Sequence, residues 1–215
     1  MSSDRPAESK RFLPGRIVAA THNSGKLREI RELFSPHGVA VVGAAELGLG
    51  EPDETGFTFR DNAALKAVAA ARASGEPALA DDSGLCVEAL GGAPGVRSAR
   101  WAGASRDFRA AMRRVEAELR ASRAPEPWRA HFISTLALAW PDGRLDTYEG
   151  RVDGILVFPP RGMAGFGYDP IFRPDGHERT FGEMSAEEKH GVPPDGSPAL
   201  SHRARAFQSF ARAWL

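Results

Sequence analysis

The amino-acid sequence predicts an α/β fold, and three stretches carry that expectation. Ile17-Val18-Ala19-Ala20 is a short apolar run, followed by the polar turn 21–25 and a segment that sets Leu27, Ile30, Leu33 and Phe34 on one helical face. Residues 39–42 form a second apolar run, so the chain opens as a β-loop-α-β unit, which favours a right-handed crossover. Further on, two apolar stretches at 132–140 and 145–152 are joined by the turn Pro141-Asp142-Gly143-Arg144, as in a hairpin.

The remaining elements follow in order. Residues 1–15 are polar, with Pro6 and Pro14, and read as a disordered extension ahead of one domain over 16–215. Thr58-x-x-Asp61 is a capping signal for an Ala-rich helix over 62–73. The short strand 78–80 is expected to end in an acidic turn, Asp81-Asp82-Ser83-Gly84. Gly91-Gly92-Ala93-Pro94-Gly95 is too turn-rich for a helix. Ser105 is expected to cap a helix whose Phe108, Met112, Val115 and Leu119 make a core stripe. Ala124-Pro125-Glu126-Pro127 breaks the chain, and the hairpin beyond it is expected to build a second lobe. Ser185-x-x-Glu188 caps a short helical turn, and Ser201 caps a last helix with Phe207, Phe210, Ala211 and Trp214 facing inward.

Composition narrows the function. The 215 residues suffice for a real core, and Lys+Arg and Asp+Glu balance at 28 each, without the basic excess of a dedicated nucleic-acid binder. A polyanionic ligand must therefore meet a local cluster of charge. The single cysteine, Cys86, excludes an internal disulfide and a Cys-based zinc site, and its apolar neighbours mark it as a core residue. No run is long and apolar enough to span a bilayer and no signal-peptide core is present, so a soluble cytoplasmic protein is expected.

Six features could carry chemistry. Asp81 and Asp82, leaving an apolar strand, are costly together unless Lys, Arg or Mg²⁺ compensates them; an Asx turn or helix cap is the plain alternative. Thr21-His22-Asn23-Ser24-Gly25-Lys26 lies between strand and helix, where backbone N–H groups and the helix dipole suit a phosphate. It is no Walker A loop, since the first Gly is missing and Leu27 stands in the Ser/Thr position; an ordinary capped turn is its alternative. Glu51, Asp53 and Glu54 form an acidic loop, solvated or completing an oxygen-ligand Mg²⁺ site, and Lys66 in isolation reads as a surface lysine. Gly165-Phe166-Gly167-Tyr168-Asp169-Pro170 sets aromatics between glycines, as a wall for a flat ring or as a buried turn. His202 and Arg203 place cations in a helix's first turn against the macrodipole, a broken local rule that marks a site or solvent exposure.

These segments, together with Glu54-Thr55-Gly56-Phe57-Thr58-Phe59, Leu90-Gly91-Gly92-Ala93-Pro94-Gly95-Val96, Ser98-Ala99-Arg100 and Glu188-Lys189, resemble in their order the inosine/xanthosine triphosphate pyrophosphatase family. The likeness runs from Ile17 almost to the end of the chain. It implies an elongated mixed sheet flanked by helices, two lobes with a central substrate cleft, and a homodimer. It implies hydrolysis of ITP, dITP and XTP to the monophosphate and pyrophosphate, with Mg²⁺ as cofactor. By the same resemblance Thr21, His22, Asn23, Ser24, Gly25 and Lys26 hold the triphosphate, His22 through its backbone alone. Lys66 lies on the phosphate side and Ser83 contacts substrate. Glu54 and Asp82 are the metal-side carboxylates, and Asp82 is also the proton acceptor for the attacking water. Phe166, Gly167, Tyr168, Asp169, Lys189, His202 and Arg203 recognise the base, with Arg203 or backbone N–H groups aimed at O6. The family commonly sets Ser-His-Arg a few residues after Glu-Lys; here residues 190–200 intervene as an expected surface loop, which bears on Lys189. A related pyrophosphatase acting on pyrimidine or other modified nucleotides, and a non-catalytic nucleotide sensor, remain alternative readings.

Overall fold

A computed structural model describes residues 15–215, so the expectation of a disordered extension lies, except for Gly15, outside the described residues. The chain opens as β1 (Arg16–Ala19), α1 (Ser24–Phe34) and β2 (Ala40–Gly43), with β1 and β2 parallel. Asn23 caps α1, its side-chain oxygen accepting from the N–H groups of Gly25 and Lys26. α2 (Phe59–Ser74) leads to β3 (Ala78–Val87), and after the short α3 (Ser98–Trp101) and α4 (Phe108–Ser122) come β4 (Arg129–Ala139), β5 (Leu145–Leu156) and β6 (Phe172–Pro174). α5 (Ala186–His190) and α6 (His202–Trp214) complete the chain. One mixed sheet runs in the order β2-β1-β3-β4-β5-β6, parallel through β3 and antiparallel beyond it.

Three expectations are corrected. β3 does not stop at Ala80 in an acidic turn; it continues to Val87, pairing Asp81 with Leu136, Asp82 with Thr135 and Ser83 with Ser134 of β4. Buried cations compensate both acids where they stand, so the strand has no reason to end. The cap of α4 is Asp107, which accepts from the Ala110 N–H at 3.0 Å, and Ser105 sits in the preceding turn. The hairpin is no lobe of its own: β4 and β5 are inner strands of the single sheet, and Arg129–Ala139 and Leu145–Leu156 both outrun the expected stretches. Polar residues on the open face, such as His131, Arg151 and Asp153, hide the alternation there.

Long strands let the core gather in separate clusters. Leu85, Val87, Phe132, Val152 and Leu156 pack with Met112, Val115 and Leu119 of α4 at one end. Leu79, Leu136 and Leu138 pack with Ile30, Phe34, Phe207 and Phe210 toward the other. A third cluster is largely alanine: Ala63, Ala67, Ala70 and Ala71 of α2 lie on Ala78, Ala80, Ala137 and Ala139 of the sheet. Side chains this small let a helix axis approach closely, which brings Lys66 down over β3. Ser185 and Ser201 cap α5 and α6 as expected, and Phe207, Phe210 and Trp214 are buried with Ala211 at their margin.

Candidate active site

Successive residues of a strand point to opposite faces, and β3 uses this to separate its two acids. On one side Asp82 meets α2. Lys66 Nζ donates to Asp82 Oδ1 at 2.9 Å and to Glu54 Oε1 at 2.8 Å, bridging both carboxylates. Lys66 is thus no surface lysine, being only 4% exposed. Asp82 Oδ2 is buried and has no hydrogen-bond partner among the described residues. Burial pushes the Asp82 carboxyl up, with Lys66 opposing. Burial acts the same way on Glu54, but there Lys66 outweighs it and the carboxyl is held below its ordinary range. Arg100 donates to the Glu54 carbonyl at 2.7 Å, clasping the acidic loop to α3.

Asp81 lies in a different setting. Ser134 Oγ donates to its Oδ1 at 2.6 Å, while Lys26 Nζ and Arg203 Nη2 each reach Oδ2 at 3.0 Å. Burial opposes the charge of Asp81, yet Arg203 and Lys26 hold its carboxyl far below the usual range. Arg203 is almost fully buried; besides Asp81 it donates to Ser83 Oγ at 3.0 Å and, through Nη1, to the Glu29 carboxylate. Its guanidinium is therefore not solvated, and most of its donors are engaged within the protein.

The 21–26 loop reaches the cleft through Thr21, Asn23 and Lys26, whereas His22, Ser24 and Gly25 are not on the cleft wall. Asn23 Oδ1 is occupied in capping, and the His22 ring bonds the Leu49 carbonyl at 2.9 Å. At the far end stand Phe166, Gly167, Tyr168, Asp169, Lys189 and His202. Gly165 and Gly167 have φ of +73° and +70°, and a Cβ on Gly165 would lie 2.1 Å from Asp169 Oδ2. That oxygen accepts from the Phe166 N–H at 2.9 Å and from Lys189 Nζ at 2.5 Å. Tyr168 donates to the Ser98 carbonyl at 2.9 Å. His202 stacks on Phe132, rings 4.9 Å apart and 14° from parallel, with Nδ1 buried and without a hydrogen-bond partner among the described residues. Burial, with the charges of Arg203 and Lys189, holds its pKa well below the ordinary value, so the ring is neutral.

The intervening loop does not displace Lys189. The chain leaves α5 and returns at once, the Ser201 N–H donating to the Lys189 carbonyl at 3.0 Å, and Lys189 is buried against Asp169. The expectations missed other cleft residues. Phe108, read only as core, lines the cleft with Phe132 and Arg106. Glu29 is buried beneath Arg203; an acid beside Ile30 on the inward face of α1 is the signal that could have found it. Cys86 is buried and its thiol is pushed up to about 11 by burial, as befits a core residue.

The model of the Ham1 family matches residues 17–213. A curated dITP/XTP pyrophosphatase of Bradyrhizobium diazoefficiens is 61% identical over 207 residues, covering 95% of this chain and 98% of the relative. One from Rhizobium meliloti is 57% identical over 211 residues, covering 96% and 99%. Among solved structures, a HAM1 protein from Coxiella burnetii superposes with a TM-score of 0.81 at 36% identity, covering 92% of this chain and 96% of its own. The chain belongs to the Ham1 family.

Proposed function

We propose that the protein hydrolyses non-standard purine nucleoside triphosphates, namely ITP, dITP and XTP, to the nucleoside monophosphate and pyrophosphate. Relatives at 53–61% identity named dITP/XTP pyrophosphatase support the reaction and the substrate class. The observation that carries the mechanism is Asp82 on the wall of a cleft that also holds Lys26 and Lys66, with its buried Oδ2 lacking a hydrogen-bond partner among the described residues. A carboxylate whose pKa is raised by burial is a stronger base than one in water. Asp82 takes a proton from water as the water oxygen attacks the α-phosphorus; the bond to the bridging oxygen breaks and pyrophosphate leaves. Lys26 and Lys66 lie where the triphosphate charge must be neutralised. At the other end Phe166 offers a face to the purine, and the neutral His202 presents Nδ1 to a polar edge of the base.

The residues also fit Mg²⁺. Among the described residues no three acids, histidines or cysteines form a protein-only metal cage. Mg²⁺ characteristically takes one or two carboxylates and completes its shell with water and phosphate. Glu54 and Asp82 supply such a pair, already gathered on the Lys66 ammonium, and Asp82 Oδ2 is free to ligate. When bound, the ion would neutralise phosphate charge and polarise the phosphorus–oxygen bonds.

The remaining parts of the reading are a two-lobed domain, supported by the core clusters at either end of the strands, and a cytoplasmic homodimer. No helix of the described residues is long and apolar enough to cross a membrane, and Phe57, 94% exposed, is suited to a partner. Pyrophosphate release is to be measured with ITP, dITP, XTP, GTP and ATP, with Mg²⁺ and after EDTA. The expected kcat/KM for the deaminated purines exceeds that for ATP by about 10²-fold or more. In H₂¹⁸O the label enters the monophosphate. Label in pyrophosphate would overturn attack at the α-phosphorus, and equal turnover of all five would overturn the substrate class.

A further inference from the structure

Arg203 is gripped from below by a carboxylate that is itself held by a third residue. Glu29 is buried in α1, and its two oxygens are divided: Oε2 accepts from Arg203 Nη1, while Oε1 lies 3.2 Å from His190 Nε2. A carboxylate at ordinary pH can only accept, so Nε2 carries the proton. The other ring nitrogen, Nδ1, is 3.0 Å from Ser201 Oγ, the atom that caps α6 by accepting from the Ala204 N–H. Lys189, the neighbouring cation, is directed away to Asp169. His190 therefore stands at the root of the 191–200 loop, joining the end of α5 both to the start of α6 and to the acid under Arg203.

We propose that His190 is a positioning residue for substrate binding, fixing Glu29 so that Arg203 is held in one orientation at the base end of the cleft. Without the imidazole, Oε1 loses its partner in a buried setting, and the carboxylate is free to turn and take the guanidinium differently. Arg203 would then lose its fixed edge while keeping its bonds to Asp81 and Ser83. A contact to the base is made alike in ground and transition states, so its disturbance raises KM and leaves kcat nearly unchanged. The inference rests on the proposed function for its substrate but not for its geometry.

Two near-conservative variants separate positioning from loop closure. In His190→Asn the short amide can replace Nδ1 toward Ser201 but cannot reach Glu29; in His190→Gln the amide N–H can replace Nε2. His190→Asn is expected to raise KM for ITP about tenfold with kcat within about threefold, and His190→Gln to stay within about threefold of wild type in both. The Arg203 Nη1–H resonance of the full chain, the one that reports the bond to Glu29, is observed without substrate and is expected to stay sharp in His190→Gln and broaden in His190→Asn. Variants alike in KM and in that resonance would overturn the positioning role. Failure of the wild type on ITP and XTP, with the resonance behaving as expected, would instead overturn the substrate assignment alone.

Discussion

Asp81 and Asp82 are chemically identical neighbours that differ in what faces them. Asp81 receives two cations and two serine hydroxyls, which hold it as the anion; Asp82 shares one lysine with Glu54 and keeps an oxygen free. Asp82→Asn is therefore expected to lower kcat by about 10²–10⁴-fold while nucleotide binding is largely retained, as steady-state and equilibrium-binding measurements on the same preparation would show. Asp81→Asn leaves Lys26 and Arg203 facing each other without their acid. It is expected to cost about 3–5 kcal/mol in stability, read from denaturant midpoints. Glu29 supplies a pH dependence: burial alone would raise its carboxyl, but Arg203 and His190 outweigh burial and hold it at about 2 against an ordinary 4.5. A lowered folded pKa means that the stabilisation is complete above about pH 4.5 and is lost as pH falls toward 2. Unfolding midpoints between pH 5 and 2.5 should fall more steeply for wild type than for Glu29→Gln. Sequence alone pairs acid with lysine but does not reveal which lysine, because that depends on the face of β3 from which each arrives.

Elements were legible where periodicity and capping agreed. α1, α2, α5 and α6 begin close to where their polar caps stand, since Asn23, Thr58, Ser185 and Ser201 each accept a backbone N–H of the first turn. β3 was not legible beyond Ala80, because Asp-Asp-Ser-Gly is turn chemistry unless cations elsewhere in the chain are already in place. Gly84 shows how tightly the continued strand is packed: a Cβ there would lie 2.4 Å from Ser98 Oγ and 2.6 Å from the Gly95 carbonyl. The alanine face of α2 sets the height of Lys66 above the sheet. Ala67→Leu is expected to overpack that contact, costing about 1–3 kcal/mol and lowering kcat as the Lys66–Asp82 contact is displaced. Thermal unfolding and steady-state rates would register the two effects separately.

Across the whole molecule the cleft is assembled from distant parts of the chain: the 21–26 loop, Glu54, α2, β3, the 166–169 loop, α5 and the start of α6. Motif order along the sequence announced these parts, and the family resemblance supplied their roles. What it could not supply was Glu29, which only the docking of α6 against α1 makes intelligible. Since a bound nucleotide would tie these segments together, Asp82→Asn is expected to melt higher with ITP than with ATP. With both nucleotides at one concentration, about 100 Kd for ITP, the gain with ITP is about 2.7 kcal/mol, and equal shifts with both nucleotides would argue against base selection by the cleft.

Lys26, proposed for the phosphate end, and Arg203, proposed for the base end, meet on one oxygen of Asp81. The two ends of the substrate site are thus not separate modules open to independent selection. A substitution that widens the range of accepted bases through Arg203 also alters the charge balance around Lys26, and so the grip on the triphosphate. Changes at the two positions should be epistatic, with a double-mutant coupling of about 0.5–3 kcal/mol in kcat/KM. Descendants of this enzyme with a new base preference would then be expected to carry compensating changes around Asp81.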